Sequence, residues 1–529
     1  MFDVLIKGAR VVDGGGGPAY VADIAIEGEC IAAIGSLEGT TAPEVIAASG
    51  LVAVPGFIDM HTHSDYTLPL NPRAESKIRQ GVTTEVIGMC GDSPAPLTED
   101  RREEIKRQAK GYRALLGWDW LSFGEYLEKL HRGGLSVNVV PLVGQGAIRV
   151  AVMGHSADAP NAEQLEQMKV LLARAMDEGA WGLSTGLIYP PGCYTSTEEI
   201  IALAKVAAAR RGFYFSHIRG EGETLLEATA EAIRIGEEAG LPVEVAHFKA
   251  SGRPSWGKAA LALELYTAAQ RRGVDVTTDM YPYVAGSTGL GVLVPDWAHE
   301  GGREMLLARL ANPEIRAQLY QAVASKKDLA GYPAGWEDAL IARCPKFPGH
   351  EGKTIAGLAN ELEKDPVDTV LDLLLEADAD VSMIFFSMSE ENVRLGLRFP
   401  SMMIGSDGSS LATCGPLNDG KPHPRNYGTF PRVLAKYVRE ERILTLEEAV
   451  RKMSALPAAK LRLAQRGLLR PGYRADIVLF DPARVQDVAT FVEPHQYPLG
   501  ILYVLVNGQV TVANGEHRGM LAGRILEKP

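Results

Sequence analysis

Cysteine is scarce in this chain of 529 residues, and its spacing is unlike that of a structural metal site. The five cysteines are odd in number and include no Cys-x-x-Cys pair. A disulfide framework is therefore not expected, and a reducing compartment is. No run of eighteen apolar residues occurs, and the start Met-Phe-Asp-Val-Leu-Ile-Lys has an acid where a secretion signal needs basic residues. These absences predict a cytoplasmic protein without a membrane-spanning helix.

Positive charge is also in short supply. The chain has 54 Lys and Arg against 66 Asp and Glu, a formal net charge of −12. This balance argues against nucleic acid or an anionic membrane as the main partner, although a small anionic substrate can still bind in a local basic pocket. Hydrophobic residues make up 46% of the chain, as in ordinary globular proteins, and its length predicts more than one structural unit.

Strand and helix patterns alternate through the middle of the chain. Eight segments resemble buried strands: 54–63, 83–88, 136–143, 181–185, 212–217, 242–247, 274–279 and 401–407. Between many of them apolar residues recur at steps of three and four, which indicates helices at 161–179, 197–211, 224–240 and 258–273. This alternation predicts a TIM-like (β/α)₈ barrel over residues 55–465. An insertion at about 290–360 and a loop at 411–428 are expected near its mouth.

Both ends of the chain have short strand-like segments separated by turns, such as Ile24–Gly28 and Ala475–Phe480. We predict that residues 1–54 and 466–529 pair into one small β-sandwich.

Metal-ligand residues lie where the predicted strands end. These residues are His61, His63, Cys90, His217, His247 and Asp407. The carboxyl ends of barrel strands form the active-site face, so these side chains should converge there. His61 and His63 are two apart on one strand and therefore point the same way. The set predicts a zinc site.

Cys90 raises the question of one metal ion or two. Two close zinc ions need a shared anionic ligand, and the predicted fourth strand, 181–187, lacks the lysine that many barrel hydrolases carboxylate for this purpose. A Cys90 thiolate can take that role. The alternative is that Cys90 is a small core residue and only one metal binds.

Asp407 has two possible functions that one carboxylate beside a metal can combine. It can be a metal ligand, and it can be the general base that takes a proton from the attacking water and passes it to the leaving nitrogen.

The chain resembles the amidohydrolase superfamily, and within it the N-acyl-D-amino-acid deacylases (D-aminoacylases). The motifs that carry the resemblance are Pro55-Gly56-Phe57-Ile58-Asp59-Met60-His61-Thr62-His63, Met89-Cys90-Gly91, Gly182-Leu183-Ser184-Thr185-Gly186, Ser216-His217-Ile218-Arg219, His247-Phe248-Lys249, Gly405-Ser406-Asp407-Gly408 and His423-Pro424-Arg425. The cysteine after the second strand narrows the superfamily to this branch.

The resemblance implies zinc-dependent hydrolysis of N-acyl-D-amino acids, small-molecule substrates, to a D-amino acid and a carboxylate. It implies a tight zinc at Cys90, His217 and His247 and a weaker second site at His61 and His63, with Asp407 alongside. The family's substrate-carboxylate group matches Lys249, Tyr281, Ser287 and Arg425, with Tyr189 lining the pocket.

Three alternatives remain open at this point. One is a cyclic-amide hydrolase of hydantoinase or dihydroorotase type, which the missing lysine disfavours. Another is a D-dipeptidase. The third is a non-catalytic barrel that serves as a scaffold, which the full set of ligand residues argues against.

Overall fold

The computed structural model describes residues 2–109, 111–325 and 335–528. Met1, Lys110, residues 326–334 and Pro529 lie outside the described residues, and they include part of the predicted insertion and both tips of the predicted terminal segments. Among the described residues, no helix has the length and apolar character needed to span a membrane.

The first part of the chain forms five strands of a terminal sheet. They are β1 (Val4–Val11), β2 (Tyr20–Glu27), β3 (Cys30–Gly35), β4 (Glu44–Ala47) and β5 (Val52–Pro55). β1 pairs antiparallel with β2 and parallel with both β4 and β5. Because β5 runs almost directly into the first barrel strand, the terminal sheet and the barrel are joined without a long linker.

Parallel strands alternating with helices follow. The strands are β6 (Phe57–Asp59), β7 (Val82–Ile87), β8 (Asn138–Pro141), β9 (Val143–Gly144), β10 (Gly182–Gly186), β11 (Phe213–His217), β12 (Val243–Val245) and β13 (Val276–Met280). The helices are α1 (Glu75–Ile78), α2 (Glu99–Gln108), α3 (Phe123–Gly133), α4 (Gln145–Met153), α5 (Ala162–Asp177), α6 (Thr197–Ala209), α7 (Leu225–Ala239) and α8 (Lys258–Arg271).

Local sequence signals explain where several of these helices begin. Ser122 and Glu125 form a reciprocal capping box at the start of α3, and Asn161 and Gln164 form one at the start of α5. Each box satisfies backbone donors that the first helical turn leaves free. Strands between the helices, such as β7 and β10, are buried along their whole length, because helices cover a parallel sheet on its outer face.

A separate unit interrupts the barrel after β13. Its strands are β14 (Ala285–Gly289), β15 (Ala339–Arg343) and β16 (Ser382–Phe386), and its helices are α9 (Arg303–Ala311), α10 (Pro313–Ser325), α11 (Ile355–Glu361) and α12 (Pro366–Glu376). β16 lies between β14 and β15, antiparallel to both. Apolar residues from Leu290 to Phe385 form a core of their own. The predicted insertion, about 290–360, falls within this longer unit.

The chain then returns to the barrel. The remaining elements are α13 (Glu390–Arg398), β17 (Met402–Ile404), α14 (Arg425–Arg432), which continues as a π-helical segment over Val433–Glu440, α15 (Leu446–Met453) and α16 (Ala455–Lys460). β17 pairs with β13, so one sheet runs β17-β13-β12-β11-β10-β9 and a second runs β6-β7-β8. A parallel bridge between Thr62 and Gly408 joins them at one seam, and the Trp181 amide donates to the Pro141 carbonyl at the other. These elements confirm the predicted barrel fold class.

The last part of the chain completes the terminal sheet. Its strands are β18 (Ile477–Phe480), β19 (Ile501–Val506), β20 (Gln509–Ala513) and β21 (Glu516–His517). The strand order is β21-β20-β19-β18-β5-β1-β2-β3, with β4 beside β1, so β18 from the C-terminal part lies next to β5 from the N-terminal part. The prediction that the two ends form one β unit is confirmed. One face of this sheet encloses a core that includes Ile6, Ile24 and Leu505.

Candidate active site

Three predicted metal ligands meet at the C-terminal ends of three parallel strands, of which two are neighbours. Cys90 follows β7, His217 ends β11 and His247 follows β12. The Cys90 Sγ lies 3.6 Å from His217 Nδ1 and 3.9 Å from His247 Nε2, and the two imidazole nitrogens are 2.8 Å apart. A tetrahedral zinc ion with ordinary bond lengths needs nitrogen and sulfur donors roughly 3.3–3.6 Å apart. The Cys90–His217 distance lies in this range, and changes of about 0.3 Å in the Cys90–His247 distance and about 0.5 Å between the two nitrogens would let the trio bind one zinc ion.

A second trio joins the first strand to the last. His61 Nε2 and His63 Nε2 lie 3.5 Å and 3.0 Å from Asp407 Oδ1. The two histidines follow β6, and Asp407 lies three residues beyond the end of β17. Two imidazole nitrogens and a carboxylate oxygen are a common donor set for zinc. Their three ligand atoms lie within 4.8 Å of one another, which is close enough to bind one cation.

Cys90, a member of the first trio, also lies close to a histidine of the second. Its Sγ is 3.4 Å from His61 Nε2 as well as close to His217 and His247. The sulfur therefore occupies the position that a ligand shared by two metal ions would need. The bridging role itself stays a prediction.

The acidic groups of the site are held in their charged forms. Burial alone would raise the pKa of the Cys90 thiol, but the charge of His61 and the hydrogen bonds with His217 and His247 lower that pKa well below its usual range. Burial opposes ionisation of Asp407 as well, yet the charges of Arg425 and His61 hold its pKa well below the usual range. Negative charge confined among imidazoles suits a divalent cation.

The backbone turns sharply at three of the predicted ligands. Cys90, His247 and Asp407 have φ angles of 53°, 34° and 50°. Such left-handed values are uncommon for residues other than glycine and persist where the surroundings hold them in place. Each of the three lies just beyond a strand end, where the turn brings the side chain to the common centre.

Asp279, at the end region of β13, supports two of the histidines from behind. Its Oδ1 accepts a hydrogen bond from the His247 backbone amide at 3.1 Å and lies 3.5 Å from His61 Nδ1. With Nδ1 directed to this carboxylate, His61 presents Nε2 to the site, which is the usual arrangement behind a metal-ligating histidine. Asp279 is not among the predicted site residues, although it ends a predicted strand as several of the ligands do.

Glu221 is a second residue that sequence reasoning missed. Its Oε1 lies 3.0 Å from His247 Nδ1 and accepts a hydrogen bond from Lys249 Nζ at 2.6 Å. Lys249 Nζ is in turn 2.7 Å from His247 Nδ1. Burial raises the pKa of Glu221, but the charges of Lys249 and His247 outweigh it and leave that pKa below the usual range. No strand-end position or motif marks this loop residue in the sequence.

The predicted substrate-binding residues gather on one side of Asp407. The Arg425 Nη1 lies 2.9 Å from Asp407 Oδ2, and its guanidinium is 4.7 Å from the centre of the Tyr281 ring. Arg425 Nη2 also donates to the Ser287 carbonyl at 3.4 Å. Lys249 lies 5.6 Å from the same Tyr281 ring. Four of the five residues thus form one cationic and hydroxyl-bearing group.

Tyr189, the fifth predicted residue, lies beside the metal trio. Its ring centre is 5.0 Å from that of His217, and its hydroxyl is 3.1 Å from Thr288 Oγ1. Tyr189 joins the loop after β10 to the insertion through this contact.

Two adjoining cavities open from the site. The larger has a volume of about 510 Å³ and the smaller about 230 Å³. Both are lined by four of the predicted site residues: His63, Ser287, Asp407 and Arg425. Cys90, Tyr189, His217 and His247 line only the larger cavity, whereas Arg343 of the insertion and Asp419 of the 411–428 loop line only the smaller one. A substrate held at Asp407 can therefore extend in two directions.

Comparison with known sequences agrees with this arrangement. The model of the Amidohydrolase family matches residues 44–512. A D-aminoacylase from Alcaligenes xylosoxydans xylosoxydans is 38% identical and aligns over 100% of this chain and 98% of its own. From the same organism, an N-acyl-D-glutamate deacylase is 37% identical, over 99% and 96%, and an N-acyl-D-aspartate deacylase is 36% identical, over 98% and 93%.

Solved structures give the same result. A D-aminoacylase crystal structure, described as defining a novel subset of amidohydrolases, superposes with a TM-score of 0.84 at 37% identity and covers 100% of both chains. An N-acyl-D-glutamate deacylase from Bordetella bronchiseptica, complexed with zinc and a phosphonate that mimics the tetrahedral intermediate, superposes with a TM-score of 0.82 at 34% identity over 99% of both chains.

Proposed function

This chain belongs to the amidohydrolase family, and we propose that it is a zinc-dependent N-acyl-D-amino-acid deacylase. It hydrolyses the linear amide bond and releases a D-amino acid and a carboxylate. The observation that carries the proposal is the contact between Asp407 and Arg425 beside the trio of Cys90, His217 and His247 and the trio that includes Asp407 itself. That arrangement combines a proton carrier, a carboxylate-binding cation and a zinc site in one cavity.

In this proposal Cys90, His217 and His247 hold the tight zinc ion. His61 and His63, with Asp407, hold a second and weaker one. Bound zinc supplies Lewis acidity, which polarises the scissile carbonyl and makes water a stronger nucleophile. A related D-aminoacylase structure is described in terms of a binuclear centre with one-metal activation and second-metal attenuation, which agrees with two sites of unequal function.

Asp407 carries the proton in both steps. Its carboxylate takes a proton from the attacking water as the water oxygen bonds to the carbonyl carbon. It then gives that proton to the amide nitrogen as the carbon–nitrogen bond breaks. The low pKa of Asp407 keeps the group ionised before the reaction, so it begins as a base.

Arg425 and its neighbours bind the α-carboxylate of the substrate. A guanidinium can hold a carboxylate through two parallel hydrogen bonds, and the Ser287 and Tyr281 hydroxyls and Lys249 lie in the same group. Fixing the carboxylate on one side of Asp407 and the carbonyl at the zinc trio leaves two positions at the α-carbon, one for the hydrogen and one for the side chain, and the cavity wall has to admit the side chain at only one of them. This geometry selects one configuration at the α-carbon.

The larger cavity favours a neutral side chain or acyl group. Beyond the metal trio its wall has an apolar part that includes Leu97, Ile105, Trp118, Ala147 and Val150, next to polar residues such as Asp92, Arg101 and Arg113. The cations at this wall already have partners: Arg101 pairs with Glu104 at 2.6 Å, and Arg113 lies 4.3 Å over the Tyr66 ring. Relatives that act on D-glutamate and D-aspartate derivatives are nearly as similar in sequence as D-aminoacylase. Sequence similarity therefore does not indicate the preferred substrate side chain, and the residues of the cavity wall indicate it better.

A substrate panel tests this function. Zinc-reconstituted protein is incubated with the N-acetyl derivatives of D-leucine, D-methionine, D-glutamate and D-aspartate, and with a hydantoin. We expect release of free amino acid from the D-leucine and D-methionine derivatives first. Faster cleavage of the acidic derivatives would refute the side-chain preference, and cleavage of the hydantoin alone would establish the cyclic-amide alternative.

We also propose that the protein works in the cytoplasm. All five cysteines are free, and Cys90 has to stay reduced to bind metal. Fractionation of cells that express the protein tests this location.

A further inference from the structure

We propose that Lys77 and Asp59 form a buried ion pair that positions Asp407 for proton transfer. The inference rests on the proposed function, because it assigns to both residues a part in the same reaction. Neither residue lines the cavities described above, so they act through the polypeptide that carries Asp407.

The pair is fully enclosed. Both side chains have no exposed surface, and Lys77 Nζ lies 2.9 Å from Asp59 Oδ2. Lys77 comes from α1 and Asp59 from the end of β6, two residues before His61. Because loss of hydration offsets much of the attraction within a buried ion pair, such a pair is a poor source of stability by itself. The role of the Lys77–Asp59 pair is therefore inferred from the groups that it contacts.

The ammonium group of Lys77 contacts the two residues that flank Asp407. Lys77 Nζ donates to the Gly408 carbonyl at 3.0 Å and forms a short hydrogen bond with Ser406 Oγ. Ser406 Oγ also accepts from the Gly408 amide at 3.1 Å. One ammonium thus fixes the backbone immediately before and after the proton carrier.

Asp59 completes the arrangement from the first strand. Its Oδ1 accepts hydrogen bonds from the Ser406 amide at 2.8 Å and from the His61 amide at 3.3 Å. The Asp407 amide donates to the His61 carbonyl at 2.8 Å. Asp59 therefore takes part in the contacts that set the distance between Asp407 and the two histidines that follow β6.

Asp407 requires such support for two reasons. It has a φ of 50°, which a non-glycine residue keeps only where its surroundings hold it, and β17 ends three residues earlier at Ile404. In addition, the Arg425 guanidinium draws the carboxylate to one side. A displacement of about 1 Å at a reacting group can cost on the order of 10²-fold in rate.

Two variants test the proposal. Asp59→Asn/Lys77→Met removes both charges together, so no buried charge is left without a partner, and Lys77→Arg keeps the charge but changes the geometry of the donors. The matched control is Lys452→Met. Lys452 is equally buried, and its Nζ donates to the carbonyls of Phe399 and Met402 at the opposite end of β17.

Each protein is assayed with N-acetyl-D-leucine for kcat and KM, for zinc content and for the pH dependence of kcat. For the double variant we expect kcat to fall about 10²-fold. KM and one tightly bound zinc per chain should be retained, and the acid limb of the pH profile should move. Lys77→Arg should recover part of kcat, and Lys452→Met should keep the wild-type kcat per zinc-loaded chain even if its Tm falls.

The proposal is overturned if the double variant keeps the wild-type kcat per zinc-loaded chain. It is also overturned if Lys452→Met lowers kcat as much, because the effect would then be loss of packing in general. Wild-type protein that cleaves no N-acyl-D-amino acid would instead refute the proposed function, so the two failures are distinguishable.

Discussion

Arg425 Nη1 lies 2.9 Å from Asp407 Oδ2, and both side chains are buried. This contact links the group that we assign to the substrate carboxylate with the group that we assign to the proton. Before substrate binds, the guanidinium keeps Asp407 ionised. When a carboxylate arrives, it competes for the same guanidinium, which lets the pKa of Asp407 rise towards a value at which the residue can carry a proton.

Replacement of Arg425 tests this coupling through pH dependence. The positive charge lowers the pKa of Asp407, so its removal in Arg425→Leu raises that pKa, and a larger fraction of the base is protonated at acid pH. We expect the acid limb of kcat/KM to move to higher pH and KM to rise. Arg425→Lys retains the charge and should keep the limb near its wild-type position. If Arg425→Leu raises KM but leaves the acid limb of kcat/KM in place, Arg425 binds substrate and does not set the pKa of Asp407.

Asp407→Asn removes the proton carrier while preserving its shape. General acid–base catalysis contributes typically 10²–10⁴-fold, so we expect kcat to fall by about that factor. The Cys90, His217 and His247 trio does not include Asp407, so the tightly bound zinc should remain. Kinetics and elemental analysis of the same sample measure both effects. A variant with near-normal turnover would exclude Asp407 as the general base.

Cys90→Ala tests the thiolate as a ligand of the tight zinc that lies next to both trios. Its sulfur is within 3.9 Å of nitrogens from His61, His217 and His247. We expect loss of the tight zinc on dialysis against a weak chelator. The distant cysteine variant Cys344→Ala is the control, because Cys344 lies in the core of the insertion. Unchanged zinc content in Cys90→Ala would contradict the assignment.

Glu221→Gln tests the support behind His247. The carboxylate holds both His247 Nδ1 and Lys249 Nζ, and removal of an orienting partner of a metal-ligating histidine typically costs 10–100-fold in metal affinity. A chelator competition titration measures the change. Glu231→Gln, which alters the Arg219 ion pair outside the metal trio, should leave zinc affinity unchanged. Equal affinity in the two variants would remove Glu221 from the metal site.

The site residues that the sequence could predict are those at the carboxyl ends of the barrel strands, where the active site of such a barrel lies. Cys90, His217, His247 and Asp407 are far apart in the chain, yet each follows a recognisable parallel strand, and such strands end at one face. His61 and His63 could be placed by their spacing of two. The bounds of the predicted strands differ from the observed ones by a few residues, because apolar runs extend past the hydrogen-bonded positions.

The residues behind the ligands could not be found in the same way. Glu221 lies on a loop, and Lys77 lies on a one-turn helix, where a lysine is ordinarily solvated. Their roles depend on contacts over long sequence separations, such as that between Lys77 and Gly408. The strand pairing within the insertion could not be predicted from local patterns either, because Ser287 of β14 pairs with Ile384 of β16, 97 residues later, and Ile341 of β15 pairs with Met383, 42 residues later.

The central claim is most directly tested with one pair of enantiomers. Zinc-loaded protein is given N-acetyl-D-leucine and N-acetyl-L-leucine separately, and kcat/KM is measured for the release of leucine. Since the relatives that cover nearly the whole chain are named as deacylases of D-amino-acid derivatives, we predict cleavage of the D enantiomer and negligible cleavage of the L enantiomer. Equal rates for the two, or preference for the L form, would contradict the assignment of this chain as an N-acyl-D-amino-acid deacylase.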